Sequence, residues 1–185
     1  FDLVFRICHD QINFNLLTKE DKIISNPNCS TIQLVMVLSP LDKLYKINRV
    51  IVSTYQSVSG SGKEAVRQLT NEKKGIVDEM YYPYEIYNNC IPHCDTFHPS
   101  GYTREELKLI NETKKIISDS EFDITATAVR VPVIRSHSES VNISFQKKPS
   151  VAEIRKVINE SKGLILRDFP DTNTYPMPKY ATDKD

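Results

Sequence analysis

The sequence lacks a net charge, and it lacks a long apolar run. Its 185 residues carry 24 Lys and Arg against 24 Asp and Glu, so no field of one sign attracts nucleic acid or an anionic membrane. The longest apolar run, near residues 32–38, is too short for a bilayer, which needs about 20 apolar residues. The first segment, FDLVFRICHDQ, does not have the layout of a signal peptide. We therefore expect a cytoplasmic protein with no nucleic-acid or membrane partner.

Cysteine is also scarce. The four cysteines, at positions 8, 29, 90 and 94, are an even number, but nothing else in the chain suggests a small secreted scaffold held by disulfides. We therefore expect reduced thiols. Each of them is open to a catalytic, a metal-binding or a packing role.

The spacing of apolar residues predicts a mixture of helices and strands around one core. Helices are predicted over 30–41, 63–71, 103–117 and 151–161, and strands over 23–24, 47–55, 124–134, 140–146 and 164–166. The segment from Tyr81 to Asp95, which is rich in tyrosine and proline, is expected to be irregular or edge-like. This pattern predicts an α/β or α+β fold, a mixed sheet with helices packed on it.

Two residues stand out for their chemistry. Cys29 lies where a tight turn becomes a helix, so backbone N–H groups and the helix dipole can favour its thiolate. His137 lies in a polar segment, IRSHSES, and a histidine can exchange protons near neutral pH. A small buried cysteine and an ordinary polar histidine are the alternatives. Sequence separation alone does not show that the two side chains meet.

A compact cluster offers a competing site. Its four potential zinc ligands are Cys90, His93, Cys94 and His98. Such close spacing leaves little chain to wrap a tetrahedron, so we do not expect a metal site.

Four segments of the chain resemble, in order, the active-site segments of bacterial aspartate-semialdehyde dehydrogenases. They are NPNCSTIQ at 26–33, STYQSVSGSG at 53–62, KLINETKKI at 108–116 and VRVPVIRSHSESV at 129–141. The segment YPMPKYA at 175–181 is similar to the approach to the family's closing segment.

The resemblance implies roles for the reacting residues. Cys29 is expected to be the nucleophile that forms an acyl thioester, and His137 is expected to accept and donate the proton. Gln56 is expected to orient the substrate by hydrogen bonding.

The resemblance also implies substrate and cofactor contacts. Arg130 is expected to clamp the substrate carboxylate, which suits a planar guanidinium. Glu112 and Lys115, three residues apart on one helix face, are expected to meet the substrate amino group and the phosphate. Asn28 is assigned to substrate binding. Ser59 and Gly60 are expected to approach the nicotinamide cofactor; glycine and serine there permit close approach and expose N–H groups to anions, although such sequences often form plain turns.

The implied fold is a catalytic domain like that of glyceraldehyde-3-phosphate dehydrogenase, forming a homodimer and using NADP. No GxGxxG turn follows a first strand, so we expect the N-terminal dinucleotide-binding domain to be lacking. Residues 1–12 stay unassigned. Residues 13–185 are predicted to be the catalytic and dimerisation domain, incomplete at its C-terminal end.

The expected reaction is the NADPH-dependent reduction of L-aspartyl 4-phosphate to L-aspartate 4-semialdehyde with release of phosphate, in lysine, threonine and methionine biosynthesis. Three alternatives remain open: a related acyl-phosphate reductase, an inert dimerisation module, and a cysteine hydrolase. The hydrolase would leave Gln56, Arg130 and Lys115 without a common task.

Overall fold

The computed structural model describes residues 12–117 and 121–181, together with the backbone of residues 5–7. The elements in chain order are β1 Phe5–Ile7, β2 Ile23–Ser25, α1 Cys29–Tyr45, β3 Ile47–Gln56, α2 Lys63–Lys73, α3 Arg104–Ile116, β4 Asp123–Arg130, β5 Ser138–Phe145, α4 Val151–Glu160 and α5 Pro178–Ala181. Short 3-10 turns cover Phe14–Leu16, Val58–Ser61 and Pro170–Thr172. Strands β1 and β2 pair in parallel, and the order of the three-stranded sheet is β4-β3-β5. This mixture of sheet and helices confirms the predicted fold class.

Helix α1 begins at Cys29 because the side chain of Asn28 caps it. The Oδ1 atom of Asn28 accepts the backbone N–H of Ser30 at 3.0 Å, which satisfies a donor that the first turn leaves without an intrahelical partner. Pro40 lies inside the helix, which continues four residues beyond the predicted end at 41. The predicted junction of turn and helix at Cys29 is confirmed.

Strands β3 and β4 alternate buried and exposed residues, as strands with one covered face do. Buried positions recur at every second residue from Val50 to Gln56 on β3 and from Ile124 to Arg130 on β4. Both strands therefore end on an inward-facing polar side chain. This places Gln56 and Arg130 at corresponding ends of the buried alternation.

The prediction of a strand over 124–134 was too long. Strand β4 ends at Arg130, after which the N–H of Val131 bonds to the carbonyl of Gln56 and the N–H of Val133 bonds back to Val131. Pro132 has no N–H to contribute to a ladder. The chain therefore turns where the sequence still looks β-prone.

The strand predicted over 164–166 was wrong. These residues form no strand, and the N–H of Leu164 bonds to the carbonyl of Ser161, just after Gly163 at a φ of 81°. A short apolar run does not form a strand without a neighbour to pair with.

The irregular segment between α2 and α3 is held by side chains of α2. Glu72 Oε2 accepts the N–H groups of Ile86 and Tyr87 at 2.9 and 2.7 Å. Gln68 Oε1 accepts those of Tyr81 and Tyr82 at 2.7 and 2.8 Å. These bonds replace a sheet ladder, so the predicted irregular conformation is confirmed.

The chain divides into two compact units. The first comprises 1–51, 107–125 and 141–166, and the second comprises 52–106, 126–140 and 167–185. In the first unit, α1 buries an apolar face, and the rings of Tyr45 and Phe145 meet edge to face at 6.0 Å. In the second, the core consists of Val58, Ala65, Leu69, Tyr82, Ile86 and Ile91. No helix among the described residues is long and apolar enough to cross a membrane.

Candidate active site

The Cys29 turn, residues 26–30, belongs to the first unit. Cys29 is exposed and carries a thiol, whereas its neighbours Pro27 and Ser30 are buried. As the first residue of a helix of 17 residues, it lies among N–H groups that favour negative charge. The turn therefore presents an exposed sulfur at the first residue of the helix.

A carboxylate from α3 holds this turn. Glu112 Oε2 accepts the backbone N–H of Asn28 at 2.8 Å, across 84 positions of sequence. The bond is charge-assisted, and such bonds are shorter and stronger than neutral ones. Glu112 therefore fixes the residue that caps α1, a task that the sequence did not predict. Lys115 lies one helical turn further along α3 and is exposed.

The second unit contains Gln56, whose side chain is 1% exposed. Its Nε2 donates to Glu105 Oε1 at 3.0 Å and to Thr54 Oγ1 at 3.2 Å. Both partners are buried, and a buried amide needs such partners to offset its lost hydration. Gln56 is thus oriented by its neighbours.

Arg130 is a buried cation, 5% exposed, at the end of β4. Its Nη1 donates to the carbonyl of Ser57 at 2.8 Å. Its Nε is buried and meets no hydrogen-bond partner in the part of the chain that the structure describes. A buried guanidinium with spare donor capacity favours an anionic group beside it.

His137 is half-buried, and its ring lies beside Ser57. The backbone N–H of Ser57 donates to Nδ1 at 3.0 Å, and the Oγ of Ser57 lies 3.2 Å from the same nitrogen. Burial lowers the pKa of His137, the charge of Arg130 lowers it further, and Glu105 opposes both. Burial and the nearby positive charge thus both favour the neutral form of the imidazole.

These five residues, Gln56, Ser57, Glu105, Arg130 and His137, are named the imidazole cluster. Ser57 and Glu105 were missed at the sequence level. Glu105 looked like an ordinary acidic residue in the first turn of a helix, and Ser57 looked like part of a turn. For Ser57, the available signal was its position directly after Gln56 in the segment STYQSVSGSG.

The backbone of Gly60 packs closely against the imidazole cluster. A Cβ atom added at Gly60 would lie 3.2 Å from Arg130 Nη1, 3.2 Å from His137 Cε1 and 3.3 Å from His137 Nε2. Such spacing is tighter than most real Cβ contacts, so the absence of a side chain lets the backbone approach both groups.

The segment around Ser59 and Gly60 forms a plain turn, the alternative noted for it above. The N–H groups of Val58, Ser59, Gly60 and Gly62 donate to backbone carbonyls within the second unit. These N–H groups of the 3-10 turn are therefore already hydrogen-bonded within the chain. Ser59 and Gly60 are themselves exposed, and their approach to a cofactor stays a prediction.

The residues of the potential zinc cluster have other partners. Cys94 is buried, the ring of His93 stacks on Phe97 at 4.4 Å, and His98 Nδ1 lies 2.9 Å from Ser100 Oγ. Among the described residues, no group of three or more potential ligands is placed to hold a metal ion.

Comparison with known proteins gives a family match over most of the chain. The model of the family described as "Semialdehyde dehydrogenase, dimerisation domain" matches residues 38–185, which is most of the chain. The chain belongs to this family.

Three relatives illustrate the likeness. The chain is similar to the aspartate-semialdehyde dehydrogenase of Aquifex aeolicus (strain VF5), 44% identical over 173 residues, covering 90% of this chain and 51% of that protein. Its fold resembles aspartate semialdehyde dehydrogenase II complexed with ASA from Vibrio cholerae (TM-score 0.81, 33% identity, 88% of this chain, 51% of that one).

A third resemblance is to an aspartate semialdehyde dehydrogenase with NADP from Candida albicans (TM-score 0.55, 27% identity, 81% of this chain, 38% of that one). The chain spans about half the length of the curated relatives it matches.

Proposed function

We propose that this chain carries the acyl-transfer chemistry of an aspartate-semialdehyde dehydrogenase. The observation that carries the proposal is the combination of an exposed thiol at the start of α1 with a half-buried imidazole and a buried guanidinium. The family supports the substrate class, because the relatives named above are aspartate-semialdehyde dehydrogenases. The buried Arg130 does not support the cysteine hydrolase alternative, because such a hydrolase needs no buried arginine.

In this proposal, the thiolate of Cys29 attacks the carbonyl carbon of L-aspartyl 4-phosphate. A carbon–sulfur bond forms, the bond from carbon to the phosphate oxygen breaks, and phosphate leaves. The product is a thioester on Cys29, so one difficult step becomes two easier ones. The N–H groups at the start of α1 favour the negative charge that develops.

The remaining residues are proposed to bind and orient the substrate. Arg130, with its buried Nε lacking a partner among the described residues, is proposed to meet the substrate carboxylate. Gln56, fixed by Thr54 and Glu105, is proposed to orient the reacting group. Glu112, Lys115 and Asn28 keep their proposed contacts with the substrate amino group and the phosphate, and Glu112 in addition holds the turn.

Ser59 and Gly60 would lie next to a bound NADP. The fit is supported by the exposure of both residues, and the absence of a side chain at Gly60 permits a close approach to its backbone. When bound, the reduced cofactor supplies the hydride that converts the thioester to the aldehyde level. The homodimer belongs to the same proposal and is supported by the family's description as a dimerisation domain. The place in lysine, threonine and methionine biosynthesis follows from the proposed reaction.

Turnover of the full-length protein tests this function. Aspartate semialdehyde with phosphate and NADP should give a higher kcat/KM than glyceraldehyde 3-phosphate or N-acetylglutamate semialdehyde, because Arg130 and Glu112 suit a substrate that carries carboxylate and amino groups. NAD is compared in the same assay. A preference for the phosphorylated sugar would contradict the proposal.

Trapping the intermediate tests the nucleophile. After incubation with L-aspartyl phosphate, mass spectrometry should find the acyl adduct on the peptide that contains Cys29. The peptide that contains Cys90, a second exposed thiol, is the internal control. Equal labelling of both thiols would argue against a specific nucleophile.

A further inference from the structure

A buried tyrosine hydroxyl contacts the 3-10 turn Val58–Ser61. The hydroxyl of Tyr82 donates to Ser61 Oγ at 2.9 Å, across 21 positions of sequence. Tyr82 is 6% exposed, so its hydroxyl needs a partner to offset its lost hydration. Burial also raises the pKa of Tyr82, which keeps the hydroxyl protonated and able to donate. The turn is therefore tied to one specific side chain of the segment that follows α2.

Tyr82 is itself held in place by packing and by a backbone bond. Its ring belongs to the apolar core that includes Val58 and Ala65, and the ring of Tyr81 meets it edge to face at 5.1 Å. Its backbone N–H donates to Gln68 Oε1 at 2.8 Å. Because the ring is already ordered, its hydroxyl loses little conformational freedom when it bonds. Tyr82 therefore offers the turn a donor at a fixed position.

The turn is anchored at its two ends in different ways. At its start, the N–H groups of Val58 and Ser59 donate to backbone carbonyls of the segment after β4. At its end, the hydroxyl of Tyr82 bonds to the side chain of Ser61. Gly60 lies between these two anchors and is exposed. Loss of the second anchor would leave this part of the turn with more accessible conformations.

We propose that Tyr82 is a positioning residue for the nicotinamide cofactor, because its bond to Ser61 holds the turn in the conformation that receives the cofactor at Ser59 and Gly60. The role toward the cofactor rests on the proposed function, whereas the anchoring of the turn rests on the hydrogen bond alone. Without the bond, the turn would have to be ordered during binding. A site whose competent conformation is only partly populated binds more weakly, so Tyr82 affects cofactor binding and not the chemical step.

Amide hydrogen exchange of the full-length protein, without cofactor, tests the anchoring. Tyr82→Phe removes only the hydroxyl and keeps the ring in the core, and Ser61→Ala removes the acceptor. A peptide that covers residues 58–62 should exchange about fivefold faster in either variant, the effect of one lost hydrogen bond. The double variant should exchange no faster than the single ones, because both changes remove the same bond.

The control for this experiment is Tyr84→Phe, at a tyrosine that is 68% exposed. It should leave the exchange of residues 58–62 unchanged. Unchanged exchange in Tyr82→Phe, or additive effects in the double variant, would overturn the anchoring.

Cofactor affinity tests the positioning role. In Tyr82→Phe, the Kd for NADP from isothermal titration calorimetry and the KM for NADP should both rise about fivefold. The kcat and the KM for aspartate semialdehyde should stay within about twofold of the parent values. An unchanged Kd for NADP, or equal increases in both KM values, would show a merely structural role and overturn the inference. If the Kd for NADP rises as expected but the parent protein does not turn over aspartate semialdehyde, the proposed function fails and the role of Tyr82 stands.

Discussion

The Cys29 turn and the imidazole cluster are held in different ways. The turn is built by residues adjacent in sequence, with the Asn28 cap on Ser30, and one distant carboxylate, Glu112, completes it. Its sulfur is exposed. The imidazole cluster is buried or half-buried, and each of its bonds through Ser57 joins distant parts of the chain.

This contrast predicts that substitutions in the two regions affect activity and stability differently. An exposed side chain on a locally formed turn can be changed with little effect on folding. A buried charge with a specific partner cannot, because its removal leaves groups unsatisfied. Substitutions in the two regions should therefore differ in what they damage.

The largest effect is expected for Cys29→Ser. A hydroxyl replaces the nucleophilic thiolate, so kcat should fall on the order of 10⁴-fold, with an unchanged midpoint of urea unfolding. Steady-state kinetics and urea titration measure the two quantities. Cys90→Ser is the matched control and should keep activity, and comparable losses in both variants would break the contrast.

Arg130→Lys should damage both activity and stability. Lysine keeps the charge but cannot reproduce the planar fork, so kcat/KM should fall about 10- to 100-fold, the loss of one or two charge-assisted bonds. The unfolding midpoint should fall as well. Arg135→Lys, at an exposed arginine in the same segment, is the control. An unchanged KM for aspartate semialdehyde would argue against a carboxylate contact.

Substitution of Glu112 tests whether its bond to Asn28 holds the Cys29 turn. Glu112→Ala removes the acceptor for the Asn28 N–H, and kcat should fall about tenfold or more. Glu112→Gln keeps an acceptor oxygen and should lose less. The alkylation rate of Cys29 reports on the turn without substrate, and should change more in Ala than in Gln. Identical alkylation rates in the parent and both variants would show that the bond does not hold the turn.

The smallest expected effect is on the pH dependence of the free energy of unfolding. The pKa of His137 in the folded chain is lowered from 6.5, mainly by burial and then by Arg130. As pH falls below 6.5, the unfolded chain binds a proton that the folded chain does not, so the free energy of unfolding should fall until the lower pKa is passed. Above that window this group adds no pH dependence. Urea unfolding between about pH 7.5 and about pH 5.5 should show a shallower slope in His137→Gln than in the parent. Equal slopes would contradict the lowered pKa.

Much of the secondary structure could be predicted because its causes are local. The Asn28 cap, the alternation along β3 and β4, and the capping of α3, where Thr103 and Glu106 bond reciprocally, are set by neighbouring residues. The errors at 131–134 and 164–166 have the opposite cause. A β-prone run becomes a strand only where a neighbour supplies the ladder, which local composition does not reveal.

From the sequence alone come the candidate side chains: a thiol at a helix start, a histidine in a polar segment, and an arginine within a β-prone run. Only the tertiary structure decided their partners, because the deciding bonds join residues 49, 80 and 84 positions apart, from Gln56 to Glu105, Ser57 to His137 and Asn28 to Glu112. Burial and the charge of Arg130 then lower the pKa of the imidazole, and neither cause depends on residues adjacent to His137 in sequence.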